Sequence, residues 1–381
     1  MRFDTRLIHA AQPPDRSTGA VNPPVYLSTT FAQPGPGTDQ EFVYGRTGNP
    51  TRRVLERALA DLEGGRVGLA FASGMGALST LLENIPSGRR IVAVDDLYGG
   101  TWRMFEHHRR QFGLDVQYVD MTDPEAVEAA VAAAPTAWVY AESPTNPLLR
   151  LVDLRAIARI AHAHRALFVV DNTFASPANQ RPIEHGADLV LHSTTKYIGG
   201  HSDVLGGALI ARDRRLGDRL AWLQNAVGAV PSPFDCYLLI RGLRTLGVRM
   251  RAHAESARAV AQALERDRRV AGVWYPGSPR HPQHALARRQ MQGYGGMVSF
   301  ELEGGLRAAR RFLRGLRIFT LAESLGGVES LVDHPASMTH ASVPRAEREA
   351  HGVRDGLIRL SCGIEDPADL VEDVRRGLAR G

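Results

Sequence analysis

Lysine is all but missing from this chain: of its 46 basic residues, 45 are arginine and one, Lys196, is lysine. Arginine stays protonated in proteins, whereas a partly buried lysine can shed its proton and act as a base or an amine nucleophile. Cysteine is scarce as well. Cys236 and Cys362 are the only two, too few for a disulfide framework, so a reducing cytoplasm is the expected compartment. No apolar stretch approaches the roughly 20 residues of a membrane span, and Met1–Leu7 lacks the layout of a signal peptide. The formal net charge of +5 comes without a basic tail; acidic residues are interleaved, and arginine-rich segments such as 252–269 read as solvated helix faces. Neither a nucleic acid nor a membrane is therefore an expected partner. The 14 histidines show no compact metal spacing; His107-His108 and His162/His164 read as helix-surface residues, and no metal site is expected.

What the chain does have is a core. With 381 residues, 44% hydrophobic and 23% charged, it can bury a large interior and divide into two or three folding units. Up to about Gly45 it is rich in Pro, Thr, Ser and Gln with little sustained periodicity, the composition of an arm. Asn49-Pro50-Thr51 then opens a helix, with Pro suited to the first turn; Val54, Leu55, Ala58, Leu59 and Leu62 follow at helical spacing and Gly64-Gly65 stops it. From there to about residue 211, apolar strands are expected at 67–72, 90–94, 116–119, 137–141, 167–171, 189–192 and 208–211. Helix-length segments such as 73–84, 124–133 and 154–164 lie between them. This alternation predicts an α/β fold with an open, mostly parallel central sheet covered by helices. A helical stretch over 214–269 leads into a smaller C-terminal α/β unit, with strands at 270–275, 297–301 and 357–360 and helices at 282–290, 306–316 and 367–379. The expected organisation is an N-terminal arm (1–47), a cofactor-binding domain (48–245) and a C-terminal substrate domain (246–381).

In such sheets ligands bind at the carboxyl ends of the strands. Five chemically distinctive segments fall there: Ser73-Gly-Met75, Asp95–Gly100, Glu142–Pro147, Asp171-Asn172 and Ser193–Lys196. If Lys196 forms a Schiff base with pyridoxal 5′-phosphate (PLP), that cofactor needs a carboxylate for its ring nitrogen, a nest for its phosphate and a group to hold its ring plane. Asp171 ends an apolar strand and would project its carboxylate into the cleft, although read alone it serves equally as a turn aspartate. Ser73–Ala77 follows a strand and opens a helix, so backbone N–H groups and the positive helix end can approach a phosphate. No Gly-Lys-Ser/Thr follows, which excludes a nucleoside-triphosphate loop. Ser193 and Thr195 add hydroxyls. Tyr98 could stack on a ring or simply pack its loop.

These residues carry a resemblance. Asp188–Ser202 is similar to the lysine-site pattern of the Cys/Met-metabolism PLP enzymes, which share fold type I with aspartate aminotransferase. The likeness extends through Tyr44–Thr51, Phe71–Met75, Pro144–Pro147, Val170–Phe174, Ala322–Gly327, Met338–Ser342 and Leu357–Ser361. It implies that Lys196 is the Schiff-base lysine, Asp171 the pyridinium partner and Tyr98 the stacking ring. It implies further that Gly74, Met75, Ser193 and Thr195 hold the phosphate, while Asn146 contacts the ring oxygen. Tyr44 and Arg46 would reach the phosphate of a neighbouring subunit, in a homo-oligomer that is a tetramer of two active-site-sharing dimers. Arg359 would bind the α-carboxylate of a small amino-acid substrate, with Ser324 beside it.

Within that family the enzymes that break methionine carry a cysteine in the Tyr-Gly-x-Thr loop, where this chain has Gly100. Glu323 resembles the glutamate of cystathionine γ-lyases and γ-synthases and could recognise a distal ammonium. Arg103 stands where the lyases place a substrate-contacting arginine. Ala226–Tyr237 and His281–His284 also look lyase-like. The resemblance thus implies cystathionine γ-lyase activity, with γ-synthase chemistry as the alternative. A catalytically degenerate relative is disfavoured by the joint presence of Lys196, Asp171, Tyr98 and Arg359, and a dinucleotide enzyme by the lack of G-x-G-x-x-G after the first strand. The purified protein is expected to be yellow, and Lys196→Arg to abolish both that absorption band and the activity. A colourless protein that stays colourless on adding PLP would contradict the cofactor assignment.

Overall fold

The computed structural model describes residues 1–341 and 343–380; Ser342, which closes the Met338–Ser342 motif, and Gly381, at the end of the expected C-terminal domain, lie outside the described residues. Seven strands among the described residues build the larger sheet: β1 (Val67–Phe71), β2 (Arg90–Val94), β3 (Val116–Val119), β4 (Thr136–Glu142), β5 (Leu167–Asp171), β6 (Leu189–His192) and β7 (Gly207–Ala211). Their order is β1-β7-β6-β5-β4-β2-β3. The run from β3 to β6 is parallel, and β7 is antiparallel to both of its neighbours. β4 and β6 are buried along their whole length, the signature of a sheet covered on both faces.

Because β7 reverses direction between β1 and β6, the strands β1, β2, β4, β5 and β6 all point the same way. Their carboxyl ends meet at one edge. The helices that cover the sheet are held by local chemistry: the Asn49 side chain accepts from the N–H groups of Thr51 and Arg52, Pro50 occupies the first turn, and Gly64 ends that helix at φ 80°.

The helical stretch expected over 214–269 is two helices, Arg214–Val227 and Pro233–Leu264. Gly228 stops the first at φ 79°, and Ser232 caps the second with Pro233 in its first turn. The long helix spans the expected domain boundary at 245/246. Its Leu239, Leu243, Leu246 and Met250 belong to the larger core, whereas Ala257, Val260, Ala261 and Leu264 belong to the smaller one.

That smaller core lies under a second sheet of β8 (Val270–Trp274), β9 (Met297–Leu302), β10 (Thr320–Leu321), β11 (Leu331–Asp333) and β12 (Leu357–Ser361). The order is β10-β11-β12-β9-β8. Strands β10 and β11 are too short to show alternation in the sequence. The arm also contains an unforeseen helix, Phe3–His9, pinned by buried Leu7 and by the Asp4–Arg251 and Arg6–Asp61 ion pairs at 2.7 and 2.9 Å. Beyond it the arm leaves Val21, Leu27, Val43 and Tyr44 exposed. Among the described residues no helix is long and apolar enough to cross a membrane.

Gly207 begins β7 against the loop after β1: a Cβ there would collide with the Ser73 carbonyl oxygen and lie 2.8 Å from the Gly74 nitrogen. Gly207→Ala is expected to destabilise the protein by about 1–3 kcal/mol through overpacking and to weaken PLP retention. Thermal unfolding with and without cofactor checks both.

Candidate active site

The turn after β6 is wound so that Lys196 faces the sheet edge: its N–H donates to the Ser193 carbonyl at 3.2 Å, and the Gly200 N–H returns to the Lys196 carbonyl at 2.8 Å. Lys196 Nζ donates to Ser324 Oγ at 2.7 Å. Burial lowers this amine from 10.5 to about 8, helped by the nearby Arg359 guanidinium and opposed by Glu323 and Asp333. Ser324 sits at φ 92°, a left-handed conformation that strains a non-glycine residue. That strain coincides with its contact to the amine.

Asp171 ends β5 and is buried, with its Oδ1 accepting the Thr173 N–H at 3.0 Å. Burial raises its carboxyl, while the Thr173 hydrogen bonds oppose the rise. Next to it in register stands Glu142, the last residue of β4. Burial and repulsion from Asp171 push Glu142 well above the usual carboxylate range, and its Oε2 accepts the Tyr98 backbone N–H at 2.9 Å. The strand pairing thus seats Asp171 beside the residue that anchors the Tyr98 loop.

Gly74 and Met75 open the helix Gly74–Leu82, which Ser73 caps by accepting from the Gly76 N–H at 2.9 Å. Among the described residues, the Gly74 and Met75 N–H groups have no hydrogen-bond partner. A Cβ on Gly74 would come within 3.0 Å of the Ser193 Cβ, so the glycine lets the helix end close on the Ser193 side chain. The Thr195 hydroxyl is engaged with Gly206, donating to its carbonyl and accepting from its N–H. Tyr98 precedes the helix Gly99–Phe112 and is 40% exposed. Gly100 has no room for a Cβ, which would run into the Tyr98 ring.

The second unit closes the site from the far side. Arg359, on β12, donates to Asn146 Oδ1 at 2.7 Å and to the Ser324 carbonyl at 3.2 Å, and lies 6.0 Å from the Phe174 ring centre. Together these residues line a cleft of about 320 Å³. Gly74, Met75, Tyr98, Asn146, Asp171, Ser193, Thr195, Lys196, Glu323, Ser324 and Arg359 all face it. Tyr44, Arg46 and Arg103 do not. Arg46 donates to Asn225 Oδ1 of its own chain at 3.1 Å and sits 5.8 Å from the Tyr44 ring, and Arg103 is exposed on the helix Gly99–Phe112.

Sequence reasoning missed several contributors: Thr173 beside Asp171, Phe174 under Arg359, Thr339, and the buried Asp333. Thr173, Phe174 and Thr339 lay inside segments already singled out, so only their geometry was lacking. The donor set suits PLP: one deprotonatable amine, a buried carboxylate facing the same cleft, and two free N–H groups at a helix start with a hydroxyl beside them, arranged for a phosphate dianion.

Residues 4–379 match the family model described as Cys/Met metabolism PLP-dependent enzyme. The chain is 51% identical over 378 residues to a cystathionine beta-lyase of Coxiella burnetii, covering 99% of this chain and 97% of that one. It is 48% identical over 378 residues to a cystathionine gamma-lyase of Dictyostelium discoideum, with 99% and 97% covered. The solved structure of a cystathionine gamma synthase from Xanthomonas oryzae pv. oryzae, in complex with aminoacrylate and cysteine, superposes with a TM-score of 0.97 at 50% identity. That match covers 100% of this chain and 98% of the other.

A single lysine makes the amine measurable. In protein freed of PLP, acylation of Lys196 should rise with a midpoint near pH 8, the value to which burial lowers it. Arg359→Gln removes a neighbouring positive charge and should move the midpoint up; Glu323→Gln removes a negative one and should move it down. Mass spectrometry of the Lys196 peptide, apart from the N-terminal amine, checks both directions.

Proposed function

Because the chain belongs to the family of Cys/Met metabolism PLP-dependent enzymes, we propose that it is a cystathionine γ-lyase: it cleaves L-cystathionine at the Cγ–S bond and, with one water, yields L-cysteine, 2-oxobutanoate and ammonia. The observation that carries this reading is the cleft's pair of opposite charges. Arg359 and Glu323 face the same cavity as Lys196, as a substrate with an α-carboxylate at one end and an ammonium at the other requires. Arg359 holds the α-carboxylate, for which a guanidinium is well shaped, and Glu323 takes the distal ammonium.

PLP, when bound, supplies the electron sink that makes the substrate Cα proton removable. Gly74, Met75, Ser193 and Thr195 would hold its phosphate, Asp171 a proton on its ring nitrogen, Asn146 its ring oxygen and Tyr98 its ring face. Lys196 would take the Cα proton; an amine lowered to about 8 is poised for proton transfer near neutral pH. Ser324 holds that amine in place through the 2.7 Å hydrogen bond. A Cβ proton must leave as well, its C–H electron pair expelling the γ-sulfur, to which Tyr98 gives a proton. Tyr44 and Arg46 do not line their own cleft and would complete the phosphate site of a second copy, in a tetramer of two active-site-sharing dimers. Arg103 is left out of the set.

The γ-synthase reading remains the second, favoured by the 50% identity to the Xanthomonas oryzae synthase. It would use the same residues for proton transfer and differ in its outcome, a thiol replacing the γ-substituent of the substrate. Purified holoenzyme given cystathionine is expected to release 2-oxobutanoate and cysteine. Cystathionine formed from an acylated homoserine and cysteine, without breakdown in the first assay, would overturn the lyase reading; pyruvate and homocysteine would indicate cleavage on the β side.

A further inference from the structure

The pairing of β11 with β12 sets Asp333 opposite Arg359. Opposed residues of an antiparallel pair share a face, with Cβ atoms about 4.5–5.5 Å apart, so an aspartate at this position meets the guanidinium. Both side chains are inaccessible, at 1% and 3% exposure. The Arg359 Nη2 contacts Asp333 Oδ2 and also donates to the Ser324 carbonyl, Nη1 donates to Asn146 Oδ1, and Nε has no hydrogen-bond partner among the described residues. Among the described residues neither Asp333 oxygen accepts a hydrogen bond; its close contact is the ion pair with Arg359.

A buried ion pair is weak evidence for folding stability, although removing one partner alone strands the other's charge and is destabilising. Replacing such a pair by apolar residues of similar volume is often neutral or stabilising. What the pair supplies is order. An arginine has a long, rotatable stem, and a binding site gains when its orientation is set before the ligand arrives. Three groups hold Arg359 from three elements: Asp333 on β11, Asn146 after β4 and Ser324 after β10. Of these only Asp333 carries charge, and it alone lies outside the lining of the cleft.

We propose that Asp333 is a positioning residue of the substrate site: it fixes the Arg359 guanidinium in the orientation that receives the substrate α-carboxylate. This rests on the reading that Arg359 binds that carboxylate. Asp333 touches no substrate atom and acts through Arg359. Its charge joins that of Glu323 in offsetting the Arg359 cation near Lys196, since Arg359 acts on the amine in the sense opposite to both carboxylates.

The test uses PLP-loaded holoenzyme and two simple ligands followed through the cofactor's absorbance: glycine, which has the α-carboxylate, and propylamine, which lacks it. Asp333→Asn should weaken glycine binding and raise the KM for cystathionine about tenfold, with kcat within threefold and propylamine binding unchanged. Asp333→Glu should recover most of the loss. Arg359→Gln should raise the KM more, and adding Asp333→Asn to it should change nothing further, the non-additivity expected of a coupled pair. A glycine affinity within twofold of the parent in Asp333→Asn, while Arg359→Gln is impaired, overturns the proposal. Equal loss for glycine and propylamine in Asp333→Asn and Asp333→Ser, together with lower thermal stability, marks a structural role and also overturns it. Arg359→Gln with unchanged glycine affinity removes instead the carboxylate-binding reading beneath it.

Discussion

An amine has to be kept deprotonatable within a crowd of charges, and the site is organised around that constraint. Burial lowers the Lys196 amine and Arg359 pushes further in the same sense, while Glu323 and Asp333 pull the other way. The result, about 8, is a balance. Ser324 holds the amine at a backbone angle that a serine adopts at a cost. The same residue's carbonyl takes the Arg359 guanidinium, so one strained residue sets the spacing between base and carboxylate-binding group.

The balance depends on two units meeting correctly. Lys196, Asp171, Tyr98 and Asn146 come from the strand ends and loops of the larger sheet; Glu323, Ser324 and Arg359 come from the smaller unit. The long helix Pro233–Leu264 contributes to both cores, which makes their separation an unfavourable motion. A buried polar chain adds a second tie behind Asp171. Asn172 donates to Glu63 Oε1 at 2.9 Å and to the Gln180 carbonyl at 2.8 Å. Gln290, from the helix His284–Gln290 of the second unit, then donates to Gln180 Oε1 at 3.0 Å. Each member of this chain is buried, so a shift of the second unit would leave polar groups unsatisfied.

Much of this was legible beforehand because it follows from short-range patterns. The strands around Val92, Val169 and Val190 are runs of apolar residues of strand length, and their carboxyl ends locate Tyr98, Asp171 and Lys196 without further knowledge. Gly74 and Met75 were visible as a strand-to-helix turn. Asp333 was not, because β11 is three residues long and its partner lies 26 positions away in sequence, where no periodicity can point. Glu142 sat in a segment singled out as chemical, yet its neighbour Asp171 is set by strand register, which the sequence of either strand alone does not disclose. The break at Gly228 followed from its positive φ and the prolines beyond it, signals present but outweighed by the helical pattern on both sides. Tyr44 and Arg46 lie outside the cleft of their own chain, and Arg103 on an exposed helix face carries no mark of function in its own fold.

The central claim is that the one lysine is the covalent anchor of the cofactor. Borohydride reduction of the yellow holoenzyme, followed by digestion and mass mapping, reads this directly. The account predicts a single pyridoxyl-phosphate mass increment, located on the peptide that contains Lys196. An increment on the N-terminal amine, or no increment in protein that retains its colour, would contradict it.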